Sequence, residues 1–137
     1  MHMATFPTPF LLVLIAAGGA AGAVSRAMIA SLLDGGSYPL GTLMVNAAGS
    51  FLIGLFWGAA GGSGAPGAGW RGAAAPLLVT GFLGGFTTFS AFSMQTLDLV
   101  MQNRAGLALG NVLLQNGAGL LAAAAGFATG RAVSRIF

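Results

Sequence analysis

The sequence predicts an all-α membrane protein. It reads as a single domain over residues 1–137 with four transmembrane helices, the third broken mid-membrane, assembled as an antiparallel dual-topology dimer. Three observations predict this. First, 56% of the 137 residues are hydrophobic and only 5% are charged, where a soluble domain carries roughly a quarter charged residues. The chain cannot cover a water-facing surface, so lipid must be its solvent. Second, four apolar segments each reach the about 20 residues that a spanning helix requires. Third, residues 81–92 read Gly-Phe-Leu-Gly-Gly-Phe-Thr-Thr-Phe-Ser-Ala-Phe in the middle of an apolar run. Glycine weakens a helix and threonine hydroxyls compete for its backbone groups. Irregular backbone at membrane depth persists only where protein or a water-filled cavity satisfies the freed N–H and C=O groups.

The elements follow in order. The first helix spans about 10–33, after Pro7 and Pro9, and a turn at Asp34-Gly35-Gly36-Ser37 closes it. The second spans about 39–60, with Pro39 suited to a first helical turn. Residues 61–69 form a Gly/Ala/Ser/Pro linker. The third helix spans about 72–101 and is broken near 84–88; Gln102-Asn103-Arg104 is a polar turn, and the fourth spans about 105–130. The first apolar run lacks the basic flank of a cleavable signal, and His2 receives no role.

Small residues recur at helical spacing on three segments: Gly18 and Gly22 with Arg26; Ala47, Ser50, Gly54 and Gly58; Gly117, Ala118, Ala122 and Gly126. Such faces let membrane helices approach closely. The charges carry more information. An even number of spans puts both termini on one side with Arg71, Arg131 and Arg135, against Arg104 and Arg26 on the other. Three against two gives the positive-inside rule almost nothing to act on. A chain so balanced can insert both ways round and pair head to tail.

Polar residues at membrane depth are costly and often functional. They fall into three sets: Thr42 and Asn46; Thr87, Thr88 and Ser90 with Gln95 beyond; and Asn111 and Gln115 with Asn116 beside them. Each set could simply tie helices together, or the three could line one polar path. A cation path would show acidic side chains at depth, whereas Asp34 lies in a turn and Asp98 near a helix end. Amide and hydroxyl groups donate hydrogen bonds to anions, and aromatic ring edges are electropositive. Phe89 and Phe92, three residues apart, share a face wherever the backbone is helical.

Four blocks resemble the Fluc (CrcB) family of small fluoride channels, in that family's order. They are Gly18 to Arg26 (GGAAGAVSR), Gly41 to Gly49 (GTLMVNAAG), Thr80 to Ser93 (TGFLGGFTTFSAFS) and Asn111 to Gln115 (NVLLQ). The third block is the most specific, and the resemblance covers nearly the whole chain. It implies passive export of fluoride across a bacterial plasma (inner) membrane by a homodimer with two antiparallel pores. It also implies a structural sodium ion on the dimer axis, held by the backbone carbonyls of Gly84 and Thr87. The family's anion-facing residues fall on Asn46, Phe89 and Phe92, its pore-adjacent positions on Thr42 and Ser90, and its fourth-helix track on Asn111 and Gln115. Arg26 matches the family arginine, either attracting anions at a pore mouth or bracing helix ends. The chain departs from the family at Gln95, where many members carry Glu, at Ala91 (Thr) and at Gly119 (Ser).

Other functions fit less well. Proton-coupled export of the small multidrug-resistance type needs a central membrane carboxylate, which this chain lacks. A subunit that only packs against partners has no use for the polar sets. The net charge of +3 rests on five arginines against two aspartates, too few cations for nucleic acid. One histidine, no cysteine and no glutamate leave no acid–base pair for an enzyme.

Overall fold

Proline, capping side chains and polar turns set the ends of four long helical spans. The computed structural model describes residues 8–36, 38–60 and 74–136. The segment with His2, Ser37 of the first turn, the 61–69 linker, Arg71 and the expected start of the third helix at Gly72 lie outside the described residues. Among the described residues all regular structure is helical. Four spans are long and apolar enough to cross a membrane: Pro9–Leu33, Leu40–Ala59, Pro76–Met101 and Ala105–Val133.

Helix α1 (Pro9–Leu33) starts on proline, whose missing N–H costs nothing in a first turn. The Thr8 hydroxyl before it accepts from Leu11 N at 3.4 Å. At the far end Asp34 faces forward: its Oδ1 accepts from Gly41 N at 2.7 Å and so caps the start of α2 (Leu40–Ala59). The turn after Met101 reverses the chain through Asn103, which adopts φ 58°, a left-handed conformation that asparagine tolerates better than most residues. Helix α5 (Ala105–Val133) then runs back and carries Arg131 in its last turn, where a cation complements the helix dipole.

The third span is not one uniform helix. It opens with a π-helical segment, π1 (Pro76–Leu83), and tightens into three α-helical residues, α3 (Gly84–Phe86). Thr87 and Thr88 are extended, with φ/ψ of −83°/157° and −150°/116°. Helix α4 (Phe89–Met101) then starts on a Thr88 cap whose Oγ1 accepts from Ala91 N at 3.2 Å.

Two packed pairs organise the spans. Helix α1 lies along π1 and α3, and α2 lies along α5, with α4 also resting on α5. Both pairs depend on glycine for close approach. A Cβ on Gly22 would strike the Phe82 carbonyl oxygen, and one on Gly126 would strike that of Phe51. Gly117, which the sequence groups with the packing face, has nothing within 4 Å.

The core is small: Val45, Leu83, Phe86, Phe92, Leu99 and Ala108, with the polar Thr42, Asn111 and Gln115 buried among them. Many large apolar side chains point outward, including Leu32, Leu120 and Leu121. That inversion suits a chain whose solvent is hydrocarbon.

Candidate functional site

The extended pair Thr87–Thr88 takes its backbone partners from a different helix. Asn46, on α2, turns its amide toward the Thr88 peptide. Thr88 N donates to Asn46 Oδ1 at 2.8 Å, and Asn46 Nδ2 donates to the Thr88 carbonyl at 3.1 Å. One side-chain amide thus replaces a stretch of helical ladder. Gly49, one turn further along α2, makes room for this approach, because a Cβ there would strike Thr87 Cγ2.

Asn46 has a third partner. Its Nδ2 also donates to Gln115 Oε1, on α5, at 3.1 Å. Both N–H groups of the Asn46 amide are then engaged, and Asn46 has no free donor. The donor left over is one step back. Gln115 is 8% exposed, and its Nε2 is buried without a hydrogen-bond partner. Stranding a buried donor costs about 1–3 kcal/mol, so a built-in orphan of this kind demands an acceptor.

The interruption also frees carbonyls. In a continuous helix Thr88 N would donate to Gly84 O, and Ala91 N to Thr87 O. Here Thr88 N goes to Asn46 and Ala91 N to Thr88 Oγ1. Gly84 and Thr87 therefore lose their ordinary helical donors, and both residues line one open cleft of about 380 Å³ with Asn46, Ser50, Thr88 and Phe89. Between these two carbonyls, Gly85 O has a different fate: Arg26 Nε donates to it at 3.1 Å from α1. The arginine braces the end of the first half of the span, at the negative pole of its dipole.

The aromatic residues take unequal positions. Phe92 is 8% exposed and Phe89 is 76% exposed. Their centroids lie 5.3 Å apart with planes at 61°, an edge-to-face pair. Ser90 is exposed, its Oγ 3.2 Å from Thr88 Oγ1. Thr42 is buried on α2, one turn before Asn46.

Asn111 sits one turn from Gln115 on α5 and is wholly buried. It does not touch the interruption. Its Oδ1 accepts from the Tyr38 phenol at 3.0 Å, and its Nδ2 donates to Thr96 Oγ1 at 2.9 Å. The Thr96 hydroxyl donates to the Phe92 carbonyl at 2.7 Å. Tyr38 also lines a second cleft, of about 260 Å³, with Asp34, Gln95, Asp98, Gln102 and Arg104.

The structure thus brings together Asn46, Gln115, Thr87, Gly84 and Phe89, and sets Asn111 and Phe92 in a neighbouring network. Sequence reasoning assigned no role to Tyr38 or Thr96. Tyr38 lies in a connection, where no periodic signal reaches it. Thr96 stands at i+4 from Phe92, a spacing that offered a hint. Among the described residues no group of three or more His, Cys, Asp or Glu is placed to hold a metal.

Known proteins resemble this chain over most of its length. The family model described as CrcB-like protein, Camphor Resistance (CrcB), matches residues 13–127. A protein of Cereibacter sphaeroides named fluoride-specific ion channel FluC is 42% identical over 120 residues, covering 85% of this chain and 91% of its own length. Proteins of the same name from Opitutus terrae and Shewanella amazonensis are 45% identical over 102 residues and 48% identical over 103. They cover 72% and 73% of this chain, and 76% and 79% of their own lengths.

Proposed function

The chain belongs to the CrcB family, and from that premise we propose that it is a fluoride-selective ion channel, not an enzyme, exporting fluoride passively from the bacterial cytoplasm across the inner membrane. Relatives carry the name fluoride-specific ion channel FluC. One observation carries the reading: the buried amide N–H₂ of Gln115, unpartnered and held by Asn46 beside the interruption. An anion that sheds its water needs donors to replace it. An uncharged amide supplies them without the fixed positive charge that would trap the ion.

In this reading the anion path runs past Asn46, Gln115, Thr42 and Ser90, with Asn111 one turn along the same track. The electropositive edges of Phe89 and Phe92 complete it. Two copies of the chain pair in antiparallel orientation, giving two pores. The largely exposed Phe89 and the open cleft at Thr87–Thr88 suit such pairing, because both then meet protein rather than lipid.

A sodium ion on the dimer axis fits the residues present. Hard cations take oxygen ligands, and Gly84 and Thr87 offer carbonyls whose helical donors have been drawn elsewhere. A two-fold axis would double the pair. When bound, the ion would fix two interruptions together and lend a positive potential to the anion path. Gly84 has nothing within 4 Å of an added Cβ, which fits a site built from backbone rather than side chains.

Reconstitution in liposomes tests the proposal. Under a potassium gradient with valinomycin, the protein should release fluoride and leave chloride behind. Chloride efflux at a comparable rate, or no fluoride efflux, overturns it.

A further inference from the structure

We propose that Tyr38 is a positioning residue for permeation: its phenol fixes the orientation of the Asn111 amide and, through Thr96, anchors the Phe92 turn of α4 beside the anion path. The inference rests on the fluoride-channel reading above. The argument begins at the far end of the chain of hydrogen bonds. The Phe92 carbonyl can only accept, so the Thr96 hydroxyl must donate to it. With its one proton committed, Thr96 Oγ1 can only accept from Asn111. The Asn111 amide must then present Nδ2 to Thr96 and Oδ1 to Tyr38. The phenol in turn must donate.

Every link therefore has one forced polarity, from the α1–α2 connection, through α5, to the third span. Asn111 is wholly buried, so water cannot substitute for a missing partner. Removing the phenolic proton strands Oδ1 and frees the amide to flip. A flipped amide puts an acceptor against Thr96, whose proton is already committed, and releases the turn that carries Phe92.

Tyr38 sits at the one point in this chain where solvent conditions can intervene. It is half-buried and lines the cleft that also holds Asp34, Asp98 and Arg104. Burial pushes its phenol above the ordinary value of 10.0, so the donor persists through neutral and mildly alkaline conditions. As pH rises past the phenol's value, this donor is lost.

The experiment uses the full-length protein in liposomes. Tyr38 is the single tyrosine of the chain, so phenolate absorbance reports its ionisation alone. Wild-type fluoride efflux should hold steady and then fall at alkaline pH, in step with the appearance of phenolate. Tyr38→Phe should lower efflux about tenfold, within the range that stranding one buried acceptor spans, and abolish the alkaline fall. Combining Tyr38→Phe with Thr96→Val should be no worse than the poorer single variant. The wild-type titration stands even if a variant fails to assemble. Efflux insensitive to phenolate formation overturns the inference, as does a Tyr38→Phe protein with wild-type rate and profile. A wild type that passes no fluoride removes the channel reading, and this inference with it.

Discussion

Asn111 and Gln115 lie one turn apart on α5, both buried, both amides, yet they do opposite work. Asn111 is engaged at both ends, between Tyr38 and Thr96. Gln115 is engaged only through its oxygen, by Asn46, and keeps an unpartnered N–H₂. A buried polar residue in a membrane helix either holds helices together or waits for something to hold. What separates the two is the donors left after the protein's own bonds are made. Both carry a primary amide on the same helix, so side-chain chemistry alone does not tell them apart.

The largest effect should come from Asn46→Asp, which cuts the waiting amide off from its support. A carboxylate facing the Thr88 carbonyl and Gln115 Oε1 sets an acceptor against two acceptors. Uncompensated buried charge of this kind costs about 3–5 kcal/mol. Fluoride efflux from liposomes should drop on the order of a hundredfold, and wild-type efflux would place Asn46 outside the path.

Removing the two α5 amides in turn sharpens the contrast. Gln115→Leu should lower efflux about tenfold, the worth of one desolvated donor, and lower the unfolding temperature in detergent less than Asn111→Leu does, because it strands only one N–H of Asn46 Nδ2 and removes an unpartnered donor of its own. Asn111→Leu should lower both efflux and that temperature, because it disconnects Tyr38 from Thr96 and leaves both without their amide partner. Matching profiles for the two variants would erase the distinction drawn here.

The smallest effect belongs to the rim of the site. Phe89→Ile removes the ring of the edge-to-face pair with Phe92, worth about 0.5–1.5 kcal/mol. Efflux should fall a few-fold with the dimer still assembled. Full efflux would reduce Phe89 to packing.

Much of this architecture was legible in the residues. Proline and polar turns marked the ends of the spans, because those signals are local. The neighbourhood of the interruption was legible too, from its glycines and threonines. Its location within that neighbourhood was not. Gly84 and Gly85, the weakest helix formers there, remain helical, and the extended residues are Thr87 and Thr88. The reason is not propensity: Asn46, 42 residues away, captures the Thr88 N–H. A bond between distant residues leaves no trace in either one's local pattern. The Tyr38 link to Asn111, 73 residues away in sequence, was hidden for the same reason. Arg26 could be read two ways from sequence; in the structure its Nε donates to Gly85 O.

The order in which the stripped backbone of the third span finds its partners carries a consequence for biosynthesis. Arg26 and Asn46, which receive Gly85 and Thr88, belong to spans that leave the ribosome before the third. When the third span arrives at the bilayer, its caps are already waiting, and Gln115 follows it. Moving the first two spans to the end of the chain would oblige the cell to insert an uncapped bend into hydrocarbon, with nothing yet made to receive it.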